Sequence, residues 1–172
     1  MKDARVGIVM GSDSDLKVME EAATTLQEFG IGWEMRALSA HRDPEGVREY
    51  ARSAAAQGLK VLIAAAGGAA HLPGVCAAST TLPVIGVPIL GSALSGADSL
   101  YSIVQMPPGV PVATVGVNAA RNAAILAVQI LAVGDASLRP RLESFKGELL
   151  RGNAAKNDKV QEAVRRLRGE TS

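Results

Sequence analysis

The chain is poor in aromatic residues: two Phe, two Tyr and one Trp among 172 residues. A single cysteine, Cys76, excludes an intrachain disulfide and fits a reducing, cytoplasmic compartment. Lys plus Arg (18) against Asp plus Glu (17) leaves a net charge of +1. The basic excess of nucleic-acid or anionic-membrane binders is therefore missing. No apolar run reaches the roughly 18 residues of a membrane-spanning helix, and MKDARVGIVM is interrupted too early by Gly11 to read as a secretory leader. Also missing are a G-x-x-x-x-G-K-[ST] phosphate loop, a G-x-G-x-x-G dinucleotide fingerprint and a G-x-S-x-G nucleophile elbow. Two histidines without zinc-ligand spacing argue against a metal site.

Small residues are abundant: 29 Ala and 18 Gly, within a hydrophobic content of 48% and a charged content of 20%. This is the composition of one folded domain with a core of closely approaching backbones. Short apolar runs alternate with helix-period segments. Strands are expected at Val6–Met10, Trp33–Leu38, Val61–Ala66, Val84–Val87 and Val112–Val117. Helices are expected from Leu16 to Phe29 with Gly30 as the stop, from Pro44 to about Gln57 with Gly58 as the stop, from Leu72 to Ala78, from about Gly96 to Gln105, and from about Ala119 to Leu131. Such alternation predicts an α/β fold, a three-layer α/β/α sandwich with a doubly wound, mainly parallel sheet of the flavodoxin-like kind. Residues 1–134 would form this catalytic domain. Residues 135–172, charged and helical in pattern, would form an extension docked on a neighbouring subunit. Alanine-rich residues 119–132 add an expectation of tight subunit packing.

Ligands of open parallel sheets bind beyond the carboxyl ends of the strands. The loops there read GSDSD (11–15), SAHRD (39–43), GGAAH (67–71) and 88–96, and both histidines of the chain fall among them. Gly11 to Asp15 leads into a helix start. Ser12 and Ser14 either cap that helix or, with its amides, hold a phosphate. Asp15 could accept hydrogen bonds from a ribose. Arg42 is either a surface ion-pair partner or a bidentate clamp on an anion. His41 has a pKa class suited to proton transfer. Gly67, Gly68 and Ala70 permit close backbone approach to a ring. His71 is either a second polar contact or, the favoured reading, a cap on the following helix. Ser12 or Ser39 with His41 and Asp15 leaves a serine hydrolase conceivable. Cys76, inside an expected helix, reads as a small core residue.

Together GSDSD, SAHR, AGGAAHLPG, ALSGADSLYSIVQMPPGVPVATV and NAARNAAILA resemble the 5-(carboxyamino)imidazole ribonucleotide mutase family, also described as the catalytic subunit of phosphoribosylaminoimidazole carboxylase. The resemblance runs from about Arg5 to Leu131, and residues 95–111 look like the bacterial mutase class. It implies a purine-biosynthetic isomerase that moves a carboxylate from nitrogen to carbon through trapped CO2. It further implies an octamer, no metal and no organic cofactor. Its partner would be a small ribonucleotide, with no nucleic acid or membrane. By the same resemblance Ser12, Asp15 and Arg42 bind substrate, Ser39, Ala40, Gly67, Gly68 and Leu72 line the pocket, and His41 is catalytic. Ala65 and Leu90-Gly91 depart from the family's usual residues. The alternatives are a carboxylase using CO2 directly and, more remotely, a non-catalytic nucleotide-binding module.

Overall fold

The computed structural model describes residues 4–169. The start of the leader reading and the last three residues of the expected extension lie outside the described residues. Five parallel strands form one sheet: β1 (Val6–Met10), β2 (Trp33–Ala37), β3 (Val61–Gly67), β4 (Val84–Ile89) and β5 (Ala113–Thr114). Their order is β2-β1-β3-β4-β5, the flavodoxin-like arrangement in which the order of strand addition reverses between β1 and β3. Helices α1 (Leu16–Glu28) and α5 (Ala120–Gly134) pack together, α5 also lying on β3 and β4. Helices α2 (Pro44–Ser53), α3 (Leu72–Ser79) and α4 (Ala97–Val104) complete the set, with α3 and α4 on the sheet and α2 beside α3.

Strands β1, β3 and β4 are nearly continuous apolar runs because helices cover both sheet faces. All residues of β1 and β4 are buried. On one face Val9, Leu62, Ala64 and Ala66 meet Val47, Tyr50, Ala51, Cys76 and Ile103 from the helices. Gly7 belongs to this packing: a Cβ there would collide with the Tyr50 hydroxyl and with Leu62. Burial pushes the Cys76 thiol up to about 12, which makes it a packing residue rather than a nucleophile.

Glycine ends two helices as expected, by the same device. After α1, Gly30 adopts φ 66, while Ile31 N–H donates to Leu26 and Gly30 N–H to Gln27. After α2, Gly58 adopts φ 97, with Leu59 N–H donating to Ala54 and Gly58 N–H to Ala55. Both are Schellman closures. The regular part of α2 nonetheless stops at Ser53, short of the expected Gln57. The Ser53 hydroxyl bonds the Glu49 and Tyr50 carbonyls there, and turns carry the chain on to Gly58.

Strand β5 is much shorter than the expected Val112–Val117. It pairs with β4 only at Ala113 and Thr114. Pro88 of β4 has no N–H to donate to a longer partner. Val115 and Asn118 still donate to the Gly86 and Pro88 carbonyls. The alanine face of α5 is used inside the subunit: Ala120, Ala123, Ala124 and Ala127 are fully buried, and the helix packs on α1, β3 and β4. The chain divides between Gly134 and Asp135 into two compact units. The second holds a single long helix, α6 (Arg139–Leu167), which has no buried residue.

Candidate active site

Each of the first four strands ends in a loop at the same edge of the sheet, and these loops enclose a cavity of about 620 Å³. Its wall holds Ser12, Ser14, Asp15, Ser39, Ala40, His41, Arg42, Gly67, Gly68, His71 and Leu72. Eleven of the twelve expected site residues therefore share one space. The exception is Ala70, which is fully buried in the core cluster, while its neighbour Ala69 takes the cavity position. Gly68 sits at φ 61, and this left-handed turn re-aims the residues after it, so Ala70 points inward.

The first loop is a short 3-10 turn, Asp13–Asp15, rather than a direct helix start. Ser12 caps it: its oxygen accepts from Ser14 N–H at 3.3 Å and its hydroxyl donates to Asp13 at 3.1 Å. Asp15 N–H donates to the Ser12 carbonyl at 3.2 Å. Two of the amides that could have met a phosphate are thus used within the turn. Asp15 is only 7% exposed and accepts from the Ser14 hydroxyl at 3.1 Å. Burial holds its carboxyl above the usual range, partly offset by the Ser14 hydroxyl.

Arg42 braces two loops. Its Nη2 donates to the Gly11 carbonyl at 3.1 Å and its Nε to the Ser39 hydroxyl oxygen at 3.2 Å. A guanidinium has five donors, so these two bonds hold it at the cavity wall with capacity left for an anion. Ser39 also accepts from Arg42 N–H at 3.3 Å. The two serines considered as nucleophiles therefore hydrogen-bond to Asp13 and Arg42 rather than to a histidine, and the hydrolase arrangement has no nucleophile–base pair here.

The two imidazoles meet. His41 Nε2 and His71 Nδ1 are 2.7 Å apart, with ring centroids at 4.7 Å and planes at 81°. His71 occupies the residue before α3 but makes no side-chain cap, so the capping reading is corrected: the ring faces His41 instead. Gly11, Ala66, Ala69, Ile89, Leu90 and Gly91, outside the expected set of site residues, complete the wall. Leu90 and Gly91 lie in the fourth loop, after β4, where the sequence marks them as departures from the family's usual residues. That loop is tied down by Asn118, at φ 56, whose Oδ1 accepts from Leu90 N–H at 2.9 Å.

Known proteins are similar to this chain over most of its length. The chain is 57% identical over 147 residues to the N5-carboxyaminoimidazole ribonucleotide mutase of Pyrococcus abyssi, covering 86% of this chain and 84% of that protein. It is 55% identical over 163 residues to the enzyme of the same name from Mycobacterium tuberculosis, covering 95% and 94%. It is also 56% identical over 156 residues to the phosphoribosylaminoimidazole carboxylase of Schizosaccharomyces pombe, where the match covers 91% of this chain but 28% of that longer protein. The solved structure of Treponema denticola PurE superimposes with a TM-score of 0.82 at 30% identity, covering 90% of this chain and 96% of the other. Residues 5–151 match the AIR carboxylase family. That match spans the five strands and all four cavity loops, and it makes this chain a member of the AIR carboxylase family.

Proposed function

We propose that the chain is an isomerase of purine biosynthesis, converting 5-carboxyaminoimidazole ribonucleotide, an N-carbamate, into 4-carboxy-5-aminoimidazole ribonucleotide. The observation that carries the reading is His41 standing in one cavity wall with the serine, arginine and glycine loops. The N-carbamate loses CO2 as its nitrogen takes a proton. The freed aminoimidazole is nucleophilic at ring carbon 4 and captures the same CO2. Loss of the carbon-bound proton then restores the aromatic ring. One imidazolium suffices: it gives a proton to nitrogen and recovers one from carbon.

The remaining work is confinement. Holding CO2 beside the ring replaces a bimolecular encounter by an internal one, worth effective molarities on the order of 10⁵ M in favourable cases. Arg42, with Ser12 and Ser14, anchors the phosphate, Asp15 meets the ribose, and the backbone at Gly67, Gly68 and Ala69 faces the migrating carboxylate. Ala40 and Leu72 close the cavity against water. The assembly proposed is a homo-octamer in the cytoplasm, with residues 135–172 docked on a neighbouring subunit. Exposed Leu149, Leu150 and Val160 of α6 supply apolar surface for that contact.

The test follows the N-carbamate against its spontaneous decay, beside bare aminoimidazole ribonucleotide with and without bicarbonate. The isomerase converts the N-carbamate without added bicarbonate. Turnover only from the bare amine with bicarbonate would make the chain a direct carboxylase. Nucleotide binding without turnover would make it a binding module. His41→Asn should retain nucleotide affinity and lose about 10²-fold or more in kcat. Near-normal turnover would remove His41 from the mechanism.

A further inference from the structure

We propose that His71 is a positioning residue for the proton transfer. Its Nδ1 accepts a hydrogen bond from His41 Nε2–H, leaving His41 Nδ1 as the atom that releases and recovers the mobile proton. This rests on the isomerase reading above and adds a residue and an atom assignment to it.

The contact itself limits the choices. Ring nitrogens 2.7 Å apart hold one hydrogen between them: two N–H groups would collide, and two bare lone pairs would repel. The T-shaped approach, with planes at 81°, lets an N–H in one ring plane point at the other ring. His71 has no competing local duty. Its backbone N–H donates to the Ala69 carbonyl and its carbonyl accepts from Val75 N–H, so the main chain alone starts α3. The side chain makes no cap and is held toward His41.

If His71 Nδ1–H were the donor, neutral His41 would carry its proton on Nδ1 and could act only as an acid from that atom. The reaction needs an acid first and a base second at the same place. With His71 accepting, both states use one tautomer. As imidazolium, His41 bears protons on Nδ1 and Nε2, and neutral His71 bears its own on Nε2. Donation of the Nδ1 proton to the carbamate nitrogen leaves His41 neutral with Nε2–H still bonded to His71. Recovery of the carbon-4 proton restores the starting state, so protons balance over the cycle. The acceptor stabilises the imidazolium more than the neutral ring, as in base–orienter pairs generally. The other charged side chains of the wall are Asp15 and Arg42. The loop's next carboxylate, Asp43, is engaged in accepting from Gly46 N–H at the start of α2.

The test uses full-length protein and two substitutions. His71→Leu removes the acceptor, whereas His71→Asn offers an amide oxygen near the position of Nδ1. For His71→Leu, kcat should fall about ten- to hundredfold with KM within about twofold, and the alkaline limb of kcat against pH should move to lower pH. His71→Asn should recover most of the lost turnover and the original limb. Because the chain has only two histidines, solid-state ¹⁵N NMR of histidine-labelled wild type resolves the tautomers directly and needs no turnover. Neutral His41 should carry its proton on Nε2. A proton on Nδ1, an unshifted limb in His71→Leu, or equal losses in the Leu and Asn variants would overturn the proposal. Wild-type protein that leaves the N-carbamate at its spontaneous decay rate would overturn the isomerase reading instead, while the spectrum still reports the hydrogen bond.

Discussion

At the scale of single residues, two charged side chains line the cavity while making contacts within the fold. Arg42 holds the Gly11 carbonyl and the Ser39 hydroxyl while facing the cavity. Arg42→Ala should therefore raise KM for the phosphorylated substrate by about tenfold or more, since hydrogen bonds to a charged partner contribute about 1.5–3 kcal/mol. An unchanged KM would place the phosphate elsewhere. Asp15 is held above the usual carboxylate range, first by burial. A carboxyl whose folded pKa is raised binds more protons folded than unfolded. Its contribution to stability is present below the reference value of 3.8 and is lost as pH rises through the higher folded value. Asp15→Asn should then raise the denaturation midpoint near pH 7, lose that advantage in acid, and weaken substrate binding. Equal midpoints at both pH values would refute the linkage. The residue types of the site were legible in the sequence, because Ser, Asp, Arg and His stood in strand-to-helix loops. The His41–His71 bond was not, because it depends on topology. Strands β2 and β3 flank β1, so about 10 Å separates their ends, a gap that two imidazole side chains together span. The inward turn of Ala70 was hidden for a similar reason, being set by the backbone at Gly68.

At the scale of elements, glycine decides how closely α2 approaches the sheet. Gly7→Ala should destabilise the fold by about 1–3 kcal/mol through overpacking against Tyr50 and Leu62, measured by chemical denaturation. A loss below about 0.5 kcal/mol would mean that Tyr50 swings aside freely. The first strand and the start of α1 match their expected bounds because an apolar run and a helix-period pattern are local signals. The length of β5 depended on a non-local one, the missing N–H of Pro88 in the neighbouring strand. The small residues of α5 predict a close backbone contact, and within the subunit α1, β3 and β4 supply one. Alanine spacing identifies a close contact without specifying its partner.

At the scale of the whole molecule, the proposed assembly makes a prediction about α6. Leu149 is 51% and Leu150 73% exposed, and such side chains favour burial when a partner is present. Leu149→Asp combined with Leu150→Asp should shift sedimentation from the octamer to smaller species with unchanged helix content by circular dichroism. An intact octamer would exclude this part of α6 from the contact.

The order β2-β1-β3-β4-β5 has a consequence for biogenesis. The cavity draws on residues near 11, 41, 68 and 90, and no shorter contiguous stretch of the chain includes all four walls. A nascent polypeptide leaving the ribosome cannot form the complete pocket until its fourth strand has emerged. Ligand would then act as a late lock on maturation, stabilising only chains already closed.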